Sequence, residues 1–282
     1  MKIKTVVVLG SGTMGNGITQ VIAQAGYEVY MRDVSQELLD RGMAVIKKSL
    51  SKFVEKGKIT ADAEKEILGR ITPTTEFDEV VKKADLIIEA VPENIELKTK
   101  IFSELEEKCP PETLFASNTS SLPITALAAV TKRPERFLGT HFMSPVPMMG
   151  GVELVRGRMT SDETLEEIKQ FIISLGKTPT VAVDYAGFVT SRLLDLYLNE
   201  AAYAVMDGND PKEVDAGMVH CTNMPMGPCA LTDMVGADVL LFVLEILEKE
   251  FGEKFRPAPL LRQMVRAGHL GRKTGRGYYI YK

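Results

Sequence analysis

Few residues in this chain have the type and placement for chemistry. The stretch THFMSPVPMMGGVELV, residues 140–155, holds His141, the first of three histidines, and closes on the carboxylate of Glu153. Imidazole is suited to move a proton near neutral pH, and a carboxylate on its other ring nitrogen would fix the tautomer and stabilise the imidazolium. Their spacing leaves two readings open: a proton carrier steered by Glu153, or two unrelated residues at the edge of a sheet. His220 and His269 lie in helix-patterned sequence without such a companion and are read as structural.

A second cluster is GSGTMGNG, in which Gly10, Gly12 and Gly15 form GxGxxG between an apolar, β-branched run, TVVVLG, and a helix-patterned segment. Gly10 permits a tight turn, Gly12 lets the backbone approach a pyrophosphate and Gly15 allows close helix packing. Unpaired N–H groups at the helix start would face phosphate. A second strand, EVYMRD, ends in acid at Asp33, which completes the opening of a dinucleotide-binding fold. The expected cofactor set here is Gly10, Ser11, Gly12, Thr13, Met14, Gly15 and Asp33. Asp33 would accept the ribose hydroxyls and repel a 2′-phosphate, which favours NAD over NADP, although Arg32 beside it weakens that preference.

The elements that must hold these groups follow the same pattern. ADLIIEAV, TLFASN, FLGTHF, GVELVR and TPTVAV are further strand candidates, with helical patterns between several of them, so the first part is α/β and Rossmann-type. Residues 35–69 are too long for a simple crossover. They read as two helices joined near Gly57, a helical arm with Lys52 and Lys56 one turn apart on one face. After DYAGFV the alternation gives way to helical periodicity, which places a boundary near 184/185, between a nucleotide-binding domain (1–184) and an all-α domain (185–282). The apolar run VLLFVLEIL is either core or part of a homodimer interface.

Composition narrows the class. With 282 residues, 45% hydrophobic and 26% charged, the chain reads as an ordinary soluble globular protein of one or two domains. A net charge of −4 gives no support to a polyanion binder, so nucleic acid is not expected as a partner. Cys109, Cys221 and Cys229 are odd in number and lack CxxC spacing, which suggests neither a disulfide framework nor a metal site. The chain enters a strand-like run directly after MKIK, and no apolar run reaches the ~18 residues of a membrane span. Cytoplasmic localisation without membrane contact is the expectation.

Across nearly its whole length the chain resembles the L-3-hydroxyacyl-CoA dehydrogenase family, closest to its bacterial 3-hydroxybutyryl-CoA dehydrogenases. The motifs that carry the resemblance are GSGTMGNG, EAVPENIELKTKIFSELE, FASNTSSLPIT, HFMSPVPMMGGVELV, AGFVTSRLL, PMGPCALTDMVGAD and LGRKTGRGYY, in the family's order. The resemblance implies NAD-dependent, reversible oxidation of a 3-hydroxyacyl-CoA to the 3-oxoacyl-CoA. It implies His141 as general acid/base, Glu153 as its orienting partner, and Ser120 near both the reacting oxygen and the nicotinamide. Glu93 and Lys98 would contact NAD, Lys273 would reach the cofactor region, and Ser51, Lys52 and Lys56 would meet coenzyme A. The helical domain would serve substrate binding and dimerisation. Where the family usually has asparagine, this chain has Ser144, in the cofactor set, and Ser191, in the catalytic set; Gly150 and Gly151 replace a bulkier pair. Two alternatives stand beside this reading. One is a relative acting on a free hydroxy acid or sugar acid, against which the lysine arm speaks; the other is a nucleotide-binding protein without turnover, which the two serines suggest.

Overall fold

The computed structural model describes residues 3–281, so the expected outer limits at residues 1 and 282 lie outside the described residues. The chain divides into two compact units, Met1–Asp184 and Tyr185–Lys282.

The first unit is built on an eight-stranded sheet. Its strands are β1 (Thr5–Leu9), β2 (Glu28–Arg32), β3 (Ile71–Thr74), β4 (Leu86–Glu89), β5 (Leu114–Ser117), β6 (Phe137–Phe142), β7 (Gly151–Arg156) and β8 (Thr178–Val183). Their order is β3-β2-β1-β4-β5-β6-β7-β8. Neighbours run parallel except β6 and β7, which are antiparallel. Strands β4, β5 and β6 are buried along their full length, which is why they read as continuous apolar runs rather than alternating ones. The strand order reverses between β1 and β4, the place where open α/β sheets leave a crevice for ligands. Strand β3 has no counterpart among the sequence expectations. It is a four-residue edge strand containing Pro73, and a proline and short length mask its strand character.

Helices cover the sheet: α1 (Thr13–Gln24), α2 (Gln36–Glu55), α3 (Ala61–Gly69), α4 (Asp78–Val81), α5 (Ile95–Lys108), α6 (Ile124–Ala128) and α7 (Asp162–Ser174). Side-chain caps start several of them: Ser35 accepts from the Leu38 N–H, Thr60 from Ala63, Asn94 from Leu97 and Ser161 from Thr164. Each such cap stabilises by about 1 kcal/mol. Helices α2 and α3 form the arm, turning at Gly57 with φ +65°. The arm is anchored because α2 buries Leu39, Ile46 and Leu50 in the same core as Met31 and Ile71. Each buried side chain contributes roughly 1.5–3 kcal/mol. Gly42 lets α2 cross the glycine turn, since a Cβ there would lie 2.8 Å from the Ser11 carbonyl oxygen.

The second unit is helical: α8 (Thr190–Met206), α9 (Pro211–Thr222), α10 (Pro228–Val235), α11 (Ala237–Phe251) and α12 (Pro259–Arg266). Its core gathers Leu198, Leu240, Leu244, Leu247, Phe255 and Leu261. The VLLFVLEIL run is thus divided, with Leu240, Leu244 and Leu247 buried while Val239 and Phe242 stay exposed. The closing LGRKTGRGYY segment is held by Asp233, whose carboxylate accepts the N–H groups of Tyr278 and Tyr279 and the Tyr281 hydroxyl. Gly277 is required there, because a Cβ would sit 1.9 Å from Asp233 Oδ1. Among the described residues no helix is long and apolar enough to cross a membrane, and no group of three or more His, Cys, Asp or Glu side chains could hold a metal.

Candidate active site

At the end of β1 the chain turns at Gly10, with φ +101°, and enters α1. A Cβ at Gly15 would lie 1.8 Å from the Gly10 carbonyl oxygen, so only glycine lets the helix close onto the turn. Among the described residues nothing lies within 4 Å of a Cβ placed at Gly12, and no side chain caps the α1 N-terminus. Its first N–H groups are therefore available to an anion. Asp33 Oδ2 accepts from the Ser11 N–H and Oγ, each at 2.7 Å, and Oδ1 from the Val34 N–H at 2.7 Å. Oδ1 retains capacity for a further donor. These groups open on a cavity of about 580 Å³ whose walls include Gly12, Thr13, Met14, Phe77, Val91 and Ile101. Arg32 lies over the Phe77 ring at 5.0 Å, and its Nε is buried without a hydrogen-bond partner among the described residues.

The antiparallel register of β6 and β7 sets His141 directly opposite Glu153. Nδ1 of His141 lies 3.1 Å from Glu153 Oε2, and both residues are buried. With Glu153 ionised, its carboxylate can only accept, an arrangement that puts the proton on Nδ1 and leaves Nε2 as the basic nitrogen. That nitrogen lies 3.0 Å from Ser120 Oγ. Ser120 belongs to the loop after β5, beside β6. Asn118 ties the base of this loop down: its N–H donates to the Glu89 carbonyl at 2.7 Å, and its Oδ1 accepts from the Phe142 N–H at 3.0 Å.

The rest of the loop hangs on Glu93. One of its oxygens, Oε1, accepts from the Thr119 hydroxyl, from the Ser120 N–H at 3.1 Å, and from the Ser121 N–H and Oγ at 3.3 and 3.1 Å. The other, Oε2, lies 3.4 Å from Lys98 Nζ. Lys98, expected at the cofactor, has no exposed surface: its ammonium donates to Glu89 Oε1 at 2.7 Å and to the Val91 carbonyl at 3.3 Å. It stands behind Glu93, the carboxylate that gathers the Ser120 loop. Glu89 is fully buried and also accepts from Ser117 Oγ at 2.6 Å and the Val91 N–H at 2.7 Å. Burial pushes its carboxyl above the usual range, and Lys98 beside it pulls the other way. Glu89 and Ser117 were absent from the sequence expectations; an acid closing the buried run LIIE was the available signal.

Ser144 is exposed at the end of β6, at a cis peptide to Pro145. The loop it opens is pinned by Lys177, whose buried ammonium donates to the Val146 and Met149 carbonyls at 2.8 and 2.6 Å. Ser51 Oγ donates to Glu64 across the arm at 2.8 Å, while Lys52 and Lys56 are exposed at the C-terminal end of α2. Ser191 and Lys273 belong to the second unit, the first in the opening turn of α8, the second paired with Asp238 at 2.6 Å.

Comparison with known proteins gives the same assignment along the whole chain. A family model described as "3-hydroxyacyl-CoA dehydrogenase, NAD binding domain" matches residues 5–185, and one described as "3-hydroxyacyl-CoA dehydrogenase, C-terminal domain" matches residues 187–281. A probable 3-hydroxybutyryl-CoA dehydrogenase of Deinococcus radiodurans is 49% identical over 97% of this chain and 99% of its own. The 3-hydroxybutyryl-CoA dehydrogenase of Bradyrhizobium diazoefficiens is 45% identical over 99% of this chain and 96% of its own. The crystal structure of (S)-3-hydroxybutyryl-CoA dehydrogenase from Ralstonia eutropha superposes with a TM-score of 0.94, at 45% identity, covering 100% of both chains. The chain belongs to the 3-hydroxyacyl-CoA dehydrogenase family.

Proposed function

We propose that this protein catalyses the reversible NAD-dependent oxidation of a short-chain L-3-hydroxyacyl-CoA, with 3-hydroxybutyryl-CoA and acetoacetyl-CoA as the pair. The observation that carries the reading is the line Ser120, His141, Glu153, with distances of 3.0 and 3.1 Å and with His141 and Glu153 buried. It leaves one basic nitrogen beside a hydroxyl, the arrangement needed to take a proton from an alcohol. The relatives' names support the four-carbon acyl group, and the lysines of the helical arm support the coenzyme A thioester.

The glycine turn, the uncapped helix start and Asp33 fit NAD: room for a pyrophosphate at Gly12, and a carboxylate for ribose hydroxyls that opposes a 2′-phosphate. NAD held there would supply the hydride acceptor for oxidation at C3 of the substrate and, when reduced, the hydride donor for the reverse reaction. His141 Nε2 takes the hydroxyl proton in the oxidation and gives it back in the reduction. Glu153 stabilises the imidazolium that results and keeps the proton on Nδ1. Ser120 steadies the oxygen at the reacting carbon, and Glu93 holds the Ser120 loop. Lys52 and Lys56 meet the anionic tail of coenzyme A. The helical unit joins two copies of the chain, with Val239 and Phe242 on the joining face.

Consumption of NADH with acetoacetyl-CoA tests the reading, run beside NADPH and beside free acetoacetate. Turnover that requires NADH and the thioester is expected. Turnover of free acetoacetate at a similar rate would move the assignment to hydroxy-acid chemistry, and NADH binding without thioester reduction would overturn it.

A further inference from the structure

Lys98 and Glu89 form a charged pair whose side chains have no exposed surface. Burying a lysine and a glutamate is costly unless the geometry and the remaining hydrogen bonds are good. Here both conditions are met. Glu89 is bonded through both oxygens, to Lys98 Nζ, the Val91 N–H and Ser117 Oγ. Lys98 in turn reaches the Val91 carbonyl and Glu93. Glu93 is partly exposed, at 26% of its side chain, and collects four donors from Thr119, Ser120 and Ser121. The last member of the series, Ser120, meets His141 Nε2.

We infer that Glu89 and Lys98 are positioning residues: they hold Glu93, and through it the Ser120 loop, so that the Ser120 hydroxyl stays on the imidazole of His141. The physical case rests on Glu93. A partly exposed carboxylate in a flexible side chain has water as an alternative partner, and four donors on one oxygen draw it toward the loop only while it remains in place. Lys98 supplies the fixed charge that keeps it there. Lys98 is itself held because Glu89, on the central strand β4, accepts a hydrogen bond from its ammonium at 2.7 Å. The sheet thus reaches the Ser120 hydroxyl through three charges. The kinetic consequence rests on the proposed function; the geometric one does not.

The test uses the full-length protein carrying Glu89→Gln with Lys98→Met, which removes both buried charges together and avoids stranding either one. With histidines labelled in ¹⁵N, the His141 Nε2 resonance reports its bond to Ser120, and Ser120→Ala supplies the reference for its loss. The double variant is expected to move that resonance toward the Ser120→Ala position, with His220 and His269 unmoved. It should also lower kcat for acetoacetyl-CoA by about 10–100-fold, the scale of a displacement near 1 Å at a reacting group. Added to Ser120→Ala, the same pair of changes should cost less than about threefold more, because both act through one hydroxyl. An unmoved resonance overturns the inference, and so do losses that multiply independently. Should wild-type protein reduce no thioester, the proposed function falls while the resonance still decides the relay. If the double variant does not fold, Lys98→Gln keeps an N–H for Glu89 and withdraws the charge from Glu93. Its His141 resonance is read in the same way, with the same two outcomes.

Discussion

His141 is held at both ring nitrogens, by a carboxylate on one side and a hydroxyl on the other. Replacing it with alanine is expected to lower kcat by about 10²–10⁴-fold, the range of positioned acid–base groups, with NADH affinity nearly unchanged. Steady-state kinetics and NADH fluorescence titration separate the two, and loss of both together would show that the variant is misfolded. Glu153→Gln keeps the shape but offers Nδ1 an amide that can donate, which permits the wrong tautomer. A fall in kcat of about 100-fold or more is expected, and a change under threefold would remove Glu153 from the mechanism. At this scale the sequence shows the histidine and the acid as candidates, but their partnership needs the strand register. Ser120 is one of five consecutive polar residues, Ser117 to Ser121, and resemblance to the family singles it out where residue type does not.

The α2–α3 arm is an element built for two tasks. One stripe of α2, through Leu39, Ile46 and Leu50, anchors it, and the opposite end carries exposed Lys52 and Lys56. Lys52→Ala with Lys56→Ala is expected to raise the apparent KM for the acyl-CoA by about 10-fold, with the KM for NADH unchanged and the difference shrinking as salt is added. An equal rise for both substrates would place these lysines elsewhere in function. The arm itself is legible from its length and its helical period. The β6–β7 pair is legible as two strands but not as an antiparallel pair, because neither strand's own pattern states the direction of its partner. Strand β3 and its place at the sheet edge were not legible at all.

For the whole molecule, stability against pH is set in part by a group outside the proposed chemistry. Asp195 on α8 is buried, and burial pushes its carboxyl from 3.8 to about 7. In the native state it therefore keeps its proton across a window where the unfolded chain has lost it, and folding is penalised as pH rises from about 4 to about 7. Above that window the penalty is fully present, with a ceiling of about 4 kcal/mol. Asp195→Asn should raise the melting temperature near pH 8 by several degrees, with the gain shrinking toward pH 4. Differential scanning calorimetry at several pH values checks this, and a gain that does not vary with pH would assign the effect to packing instead. Since the chain has two compact units, the transition that includes α8 is the one to follow.

By itself the sequence determined the α/β class of the first unit, the glycine turn with its acid at the end of the second strand, the helical arm and the helical second unit. These are written in local periodicity and in residue types that few other conformations tolerate, and the order of motifs places the chain in its family. Tertiary structure alone decided which polar groups meet. His141 and Glu153 face each other through a cross-strand register, Lys98 turns inward because Glu89 waits at the end of β4, and Ser120 stands on the imidazole because Glu93 gathers its loop. Contacts between segments distant in sequence depend on strand order and pairing, and neither is encoded in the spacing of residues along one segment.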